Sequence, residues 1–541
     1  MSPSIKRILA RVVFCLIFPG MALASDQAGG QQNLALELGT VQFPISCTES
    51  VQKSFERGVA LLHSFWYGEA RKQFQQVATE DPHCAMAHWG VAMSYWHPLW
   101  NRPDQATLKR GRAEVRRARA LHSRDDREWG YLNAIAAFYG GKKKRTYRAR
   151  AAAYARAMEV AYRHHPEDQE AGAFYALSLL ASAEHGDTSF SQQKKAAAVL
   201  EPLFRQAPEN PGVAHYLMHS YDTPQMAKLG LPAAERYPKI APRSPHALHM
   251  PSHIFSWLGQ WQDDIAANLA AIEATHKAAA EHMGSEGQEF FAMDFLAYAY
   301  LQSGREADAW HLIEEVKAAS PVKDTYGLGF DPRLWALVRL PARYELELHH
   351  WTNAATLEAV AEADPEDSVS TYWARAIAHA RTGHLDEARQ DLAAIESIHR
   401  SLVRQKKTDS ADVVEQDRQQ AAAWLAHAEG RNDEALTTLR RIAESQEAEG
   451  DRPLALPARE MLADMLLELK RPQEALPEYQ ADLKFNPNRF DGLYGAAQSA
   501  ELAGKMEEAN SYYATLLQVC AAGSSERPEL LHAKQILAKK Q

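Results

Sequence analysis

Five histidines stand out by their spacing. The string His215-Tyr-Leu-Met-His219-Ser-Tyr-Asp222 places polar side chains at i, i+4 and i+7. The string His246-Ala-Leu-His249-Met-Pro-Ser-His253 places them at i, i+3 and i+7. On an α-helix each set shares one face. Two imidazoles at i and i+4 is a metal-binding spacing. Four or five imidazoles with one or two carboxylates is the donor set of a transition-metal site. His215, His219, His249 and His253 are the leading ligand candidates. His246, Asp222 and Asp294 come next, the carboxylates either as ligands or as groups that orient a ligand imidazole. The expected cofactor is a divalent transition metal, zinc, copper or iron, with nickel fitting the same donors. A single histidine at any of these places would read as a hydrogen-bonded structural residue, or as a contact for a peptide or organic ligand. Five together are harder to explain that way.

No other motif names a reaction. There is no zincin helix, nucleophile elbow, Gly-rich phosphate loop or dinucleotide fingerprint. A metal with open coordination positions can activate water or dioxygen, but the sequence leaves enzymatic activity undecided. His63, His97 and His185 are scattered further candidates. Trp66, Trp89, Trp96 and Trp100 cluster early in the chain and either fill a core or line a groove. Cys47 and Cys84 precede predicted helices at the two ends of one repeat, where they either form a disulfide or stay as two small buried thiols. Cys520 is left over.

The elements that position these residues follow from a repeat of 34 residues. With Val51 as position 1, Gly58, Ala70, Phe74 and Pro82 fall in columns 8, 20, 24 and 32. These are the small, small, aromatic and helix-stop columns of the tetratricopeptide pattern. From Leu456 the same columns hold Ala463, Ala475, Tyr479 and Pro487. Windows from Phe290, Val369, Gln416 and Phe490 agree. Each repeat is two short antiparallel helices that cross closely at small residues. One pair cannot bury its own apolar face, so neighbours must stack. The stretch from about residue 110 to 206 is helical but off register. Setting Pro211 and Pro245 as position 1 of successive repeats puts His215 and His249 in column 5, and His219 and His253 in column 9. Ser244 before Pro245 is the expected helix cap. Pro251 removes a helical bond and should kink the axis.

The segments His63 to Ala70, Asp81 to Gly90, His215 to Asp222 and Pro245 to Phe255 resemble a family of exported bacterial tetratricopeptide (TPR) proteins with paired His motifs in mid-chain. The resemblance spans most of residues 47 to about 360 and brings no activity with it. It implies an all-α, right-handed superhelical solenoid of antiparallel helix pairs. It also implies that columns 2, 5, 9 and 12 face the concave groove. Stacked helices lie about 8–10 Å apart, so the two His strings can converge there. The alternative is an interaction scaffold that holds a peptide or protein in that groove without metal.

The first residues read as a secretory signal, with Lys6, Arg7 and Arg11 before an apolar core and Ala22-Leu23-Ala24 at the cleavage site. A periplasmic or secreted protein is expected. No segment is apolar enough to span a membrane. The net charge of -9 argues against nucleic acid as a partner. The expected organisation is a signal peptide (1–24), a flexible lead-in (25–46), an N-terminal array with a His-rich groove (47–368), a regular C-terminal array (369–523) and a capping helix or tail (524–541).

Overall fold

Phe74 shows why the repeat columns are small. Its ring lies between Gly58 and Gly90, where an added Cβ would approach it to 2.7 Å and 2.3 Å. The same contact recurs near the other end, where Tyr479 abuts Gly495. The computed structural model describes residues 37–99, 102–123, 125–141, 145–184, 186–285, 287–322, 331–450 and 456–539. The expected signal segment, positions 25–36 of the lead-in, Trp100, His185 and Lys142 to Lys144 lie outside the described residues.

The helices are α1 (Gln52–His63), α2 (Tyr67–Glu80), α3 (Ala85–Met93), α4 (Gln105–Ala120), α5 (Asp126–Tyr139), α6 (Tyr147–His164), α7 (Gln169–Ser182), α8 (Ser191–Gln206), α9 (Pro211–Tyr221) and α10 (Ala227–Ile240). Then come α11 (Pro245–His249), α12 (Pro251–Leu258), α13 (Trp261–Ala280), α14 (Gln288–Gln302), α15 (Glu306–Ala318), α16 (Pro332–Glu347), α17 (Trp351–Ala354) and α18 (Val369–Arg381). The last are α19 (Leu385–Gln405), α20 (Thr408–Ala428), α21 (Asn432–Glu449), α22 (Ala458–Glu468), α23 (Pro472–Phe485), α24 (Phe490–Leu502), α25 (Met506–Val519) and α26 (Pro528–Ala538). Helices consecutive in sequence pack on each other along the chain, and no strand occurs among the described residues. This is a TPR-like helical solenoid. No described helix is long and apolar enough to cross a membrane.

The helices that carry the His strings start where the sequence places them. Asn210 caps α9 by accepting from the Val213 N–H at 3.1 Å, and Ser244 caps α11 by accepting from Ala247 N–H at 3.3 Å. Each cap is followed by proline, which has no N–H to leave unsatisfied. At Pro251 the second helix splits into α11 and α12.

Residues 37–46 differ from the flexible lead-in expected for them. They are irregular but held down, because Leu38 and Phe43 bury apolar side chains in the core. Thr40 N–H donates to the Glu209 carbonyl at 2.8 Å, and Arg243 N–H to that of Glu37. Cys47 and Cys84 form a disulfide that ties the end of this strap to the start of α3. Trp89 and Trp96 are fully buried core residues, not groove residues.

The array also curls back on itself. The apolar core falls into three main clusters, with buried residues from Leu38 to Ala278, from Trp261 to Leu340, and from Ala342 to Ala533. The turn after α1 packs against α9. Farther on, Trp261 Nε1–H donates to the Asn488 carbonyl at 2.8 Å. The buried Arg489 bonds Glu347 at 2.9 Å and Glu460 at 2.8 Å.

Candidate metal centre

Three imidazoles meet where α9 faces α11. Nε2 of His219 lies 3.0 Å from Nε2 of His215, and so does Nε2 of His246. The three potential ligand atoms lie within 4.8 Å of one another. Metal–nitrogen bonds of 2.0–2.1 Å in a tetrahedral shell place ligand nitrogens about 3.3 Å apart. The cluster is therefore already near the spacing that an ion would impose.

His215 is the hub, and its orientation is fixed from behind. Its Nδ1–H donates to the main-chain carbonyl of His63 at 2.6 Å. That carbonyl belongs to the last turn of α1, where acceptors have no partner within the helix. The His63 ring is bound in turn. Its Nε2 lies 2.6 Å from Glu170, its Nδ1 lies 2.9 Å from the Tyr216 hydroxyl, and Asn210 Nδ2 donates to Glu170 at 2.6 Å. Gly212 is needed for this arrangement, because a Cβ there would lie 2.3 Å from His63 Nδ1.

Aromatic rings close the triad. Tyr237 stacks on His215 with centroids 5.1 Å apart. Phe65 contacts His215, His219 and His246 at 4.4, 5.8 and 5.5 Å. Phe65 holds a left-handed backbone, φ +52°, a conformation that costs a bulky residue roughly 1–2 kcal/mol. Backbone strain of this kind concentrates at functional sites.

His249 and His253 continue the row of imidazoles. Centroids are 6.3 Å apart from His246 to His249 and 5.2 Å apart from His249 to His253. His249 Nδ1–H donates to Asn268 Oδ1 at 2.7 Å. Asn268 is locked by giving its amide hydrogens to Asp264, to Oδ1 at 2.7 Å and to the carbonyl at 3.0 Å. His253 Nδ1 lies 2.9 Å from Asp222 Oδ2, whose other oxygen accepts from Trp257 Nε1–H at 2.9 Å. Asp222 thus orients an imidazole. Asp294 is held elsewhere, in an ion pair with Arg343 at 2.6 Å and with Arg339 at 3.4 Å.

Loss of water pushes His215 and His249 down to about 3, and neighbouring imidazoles add to the effect. The same causes hold His219 and His246 well below the ordinary imidazole range. These rings are therefore neutral at neutral pH, each with one N–H and one lone pair. In His215 and His249 the N–H is on Nδ1, so the lone pair is on Nε2. The Asp222 carboxylate sets the same tautomer in His253. Metal-bound histidines show this pattern, with the far nitrogen donating to a carbonyl or carboxylate.

The sequence pairs His215 with His249 by column, whereas the structure brings His215 to His246. It also adds Phe65, Tyr237 and Asn268, which column reading passed over. Asn268 did leave a signal. In the repeat starting at Pro245, columns 20 and 24 hold Asp264 and Asn268. The repeat starting at Val51 has Ala70 and Phe74 there.

Fold and site together define a TPR-like solenoid with an imidazole centre built into its middle repeats. No protein-family model matches the chain, and no curated protein matches it. Among solved structures it is similar to the human IFIT1 dimer with m7Gppp-AAAA, at 14% identity and TM-score 0.36, covering 85% of this chain and 95% of that one. It is also similar to Ypp1, at 9% identity and TM-score 0.43, covering 92% and 84%. A third is the TPR domain of P58(IPK), at 13% identity and TM-score 0.21, covering 69% and 99%.

Proposed function

We propose that this chain is an exported metal-binding repeat protein whose His215, His219 and His246 hold a divalent transition ion. One observation carries the reading. The Nε2 atoms of His219 and His246 both lie 3.0 Å from that of His215, and the hub's opposite nitrogen is fixed by a backbone carbonyl. Zinc, copper and iron all suit such donors. Three imidazoles leave coordination positions for water or a small substrate, so the same centre would serve storage or catalysis.

Phe65 already packs on the column-5 imidazole of His215, with centroids 4.4 Å apart, which supports metal over a peptide held at that position. The N-terminal signal pattern supports an extracytoplasmic location, and a disulfide such as Cys47–Cys84 persists in oxidising compartments. Elemental analysis of the mature chain, purified without a His tag, tests the proposal. At least one equivalent of transition metal after reloading is expected. Less than about 0.1 equivalent, with no uptake on titration, would refute the reading, given the affinities usual for protein-bound transition ions.

A further inference from the structure

The triad leaves two equally prepared imidazoles unused. His249 and His253 each have Nδ1 tied to an oxygen acceptor, at 2.7 Å and 2.9 Å. No described residue hydrogen-bonds to Nε2 of either ring. Both rings pack on Phe295, at 5.0 Å and 4.5 Å, which gives them an apolar wall.

The support behind these rings is costly. Asp264 is fully buried, and burial holds its carboxyl well above the usual carboxylate range. Ser256 and Asn268 bond it, and only through Asn268 does it reach His249. A structural histidine in a core needs one neutral acceptor. A carboxyl–amide–imidazole relay stands in columns that elsewhere hold alanine and a large apolar or aromatic residue, and it matches what a ligand imidazole requires, because outer partners fix tautomer and aim. Asp222 does the same for His253 and is itself fixed by Trp257.

We infer that His249 and His253 hold a second transition-metal ion beside the first, so that the centre is dinuclear. This rests on the proposed metal function of the triad. Two protein ligands make the second site the weaker one. Its remaining positions would take water or another oxygen-bearing ligand.

The test uses the untagged mature chain, stripped with a chelator and titrated with Co²⁺ and then with Cu²⁺. Two equivalents should bind, in two affinity classes. A variant carrying His249→Ala and His253→Ala should keep one equivalent. Asn268→Ala, which touches no metal, should weaken only the second equivalent, by roughly 10–100-fold. Fully loaded Cu²⁺ protein should show a paramagnetic resonance spectrum broadened by a neighbouring ion, and half-loaded protein should not. Circular dichroism confirms that each variant is folded. A single equivalent in the parent chain overturns the dinuclear centre, and so does loss of all metal in the folded double variant, which would mark one five-histidine site. Binding of no metal at all overturns the function proposed for the triad itself.

Discussion

His215 Nδ1 lies 2.6 Å from the main-chain carbonyl oxygen of His63, 152 positions earlier in the chain. This bond sets which nitrogen of His215 faces His219 and His246. It also joins the first repeat to the middle of the array. Replacing His215 by Ala should therefore act twice. Uptake of the first ion should weaken by more than about 100-fold, beyond what losing an outer partner costs. Stability of the metal-free chain should fall by roughly 2–4 kcal/mol, from the cavity and the orphaned carbonyl. Metal titration and thermal melts with chelator present read the two effects separately.

Phe65 covers the triad with its ring and pays for its position in backbone strain. Phe65→Ala should lower stability by roughly 3–5 kcal/mol, the range for a buried phenylalanine. Water admitted to the triad should bring the His219 and His246 pKa values back toward the ordinary imidazole range. Metal uptake in this variant should then fall between pH 7.5 and pH 5.5 more steeply than in the parent, as protons compete for the ligands. Paired titrations at the two pH values check it.

The pairing of Cys47 with Cys84 closes a loop of 37 residues. A loop of that length constrains the unfolded chain by about 3–4 kcal/mol in the chain-entropy account. Reduction, or changing both cysteines to serine, should lower the melting temperature. It should also raise amide exchange in residues 37–46, whose anchor is lost. Hydrogen exchange by mass spectrometry distinguishes this from a general loss of stability.

Asp482 gives a pH dependence far from the histidines. Burial pushes its carboxyl up to about 7, against the pull of Arg489. Its Oδ1 accepts from Asn486 at 2.9 Å, while Oδ2 is buried with no hydrogen-bond partner among the described residues. The folded state therefore binds this proton more tightly than the unfolded state does. Its contribution is most favourable below the unfolded value near 4 and is lost as pH rises through about 7. Asp482→Asn should flatten the decline in melting temperature between pH 5 and pH 8. The gain at pH 8 should be on the order of 2 kcal/mol. An unchanged slope would assign the decline to other groups.

Much of this architecture is legible in the sequence, for local reasons. The helix cap at Ser244, the break at Pro251 and the small-residue columns all act within one repeat, where local sequence reports them. The pairing of two His-rich helices is legible too, because both strings fall in one register. The partner of His215 is not. The slide of α11 against α9 brings His246 to His215 in place of His249, and that offset depends on packing across helices. Phe65 and the His63 carbonyl are invisible for a stronger reason, since only the curl of the array carries the first repeat onto the seventh and later helices. Residues 37–46 lack any periodic pattern, and their burial depends on surfaces distant in sequence, Phe55, Trp89 and Tyr131 around Phe43 and Glu209, Pro211 and Ile240 around Gly39.

Arg489 is bound on both sides, by Glu347 142 positions away and by Glu460 29 positions away. An open solenoid melts piecewise, since each unit leans only on its neighbours and either end can fray. In this chain α24 cannot peel off without leaving buried charges uncompensated on α16 and α22, a loss of roughly 3–5 kcal/mol. The clasp makes the middle and the C-terminal third one cooperative unit. Two parts of a chain built from additive modules are thereby expected to melt together rather than piecewise.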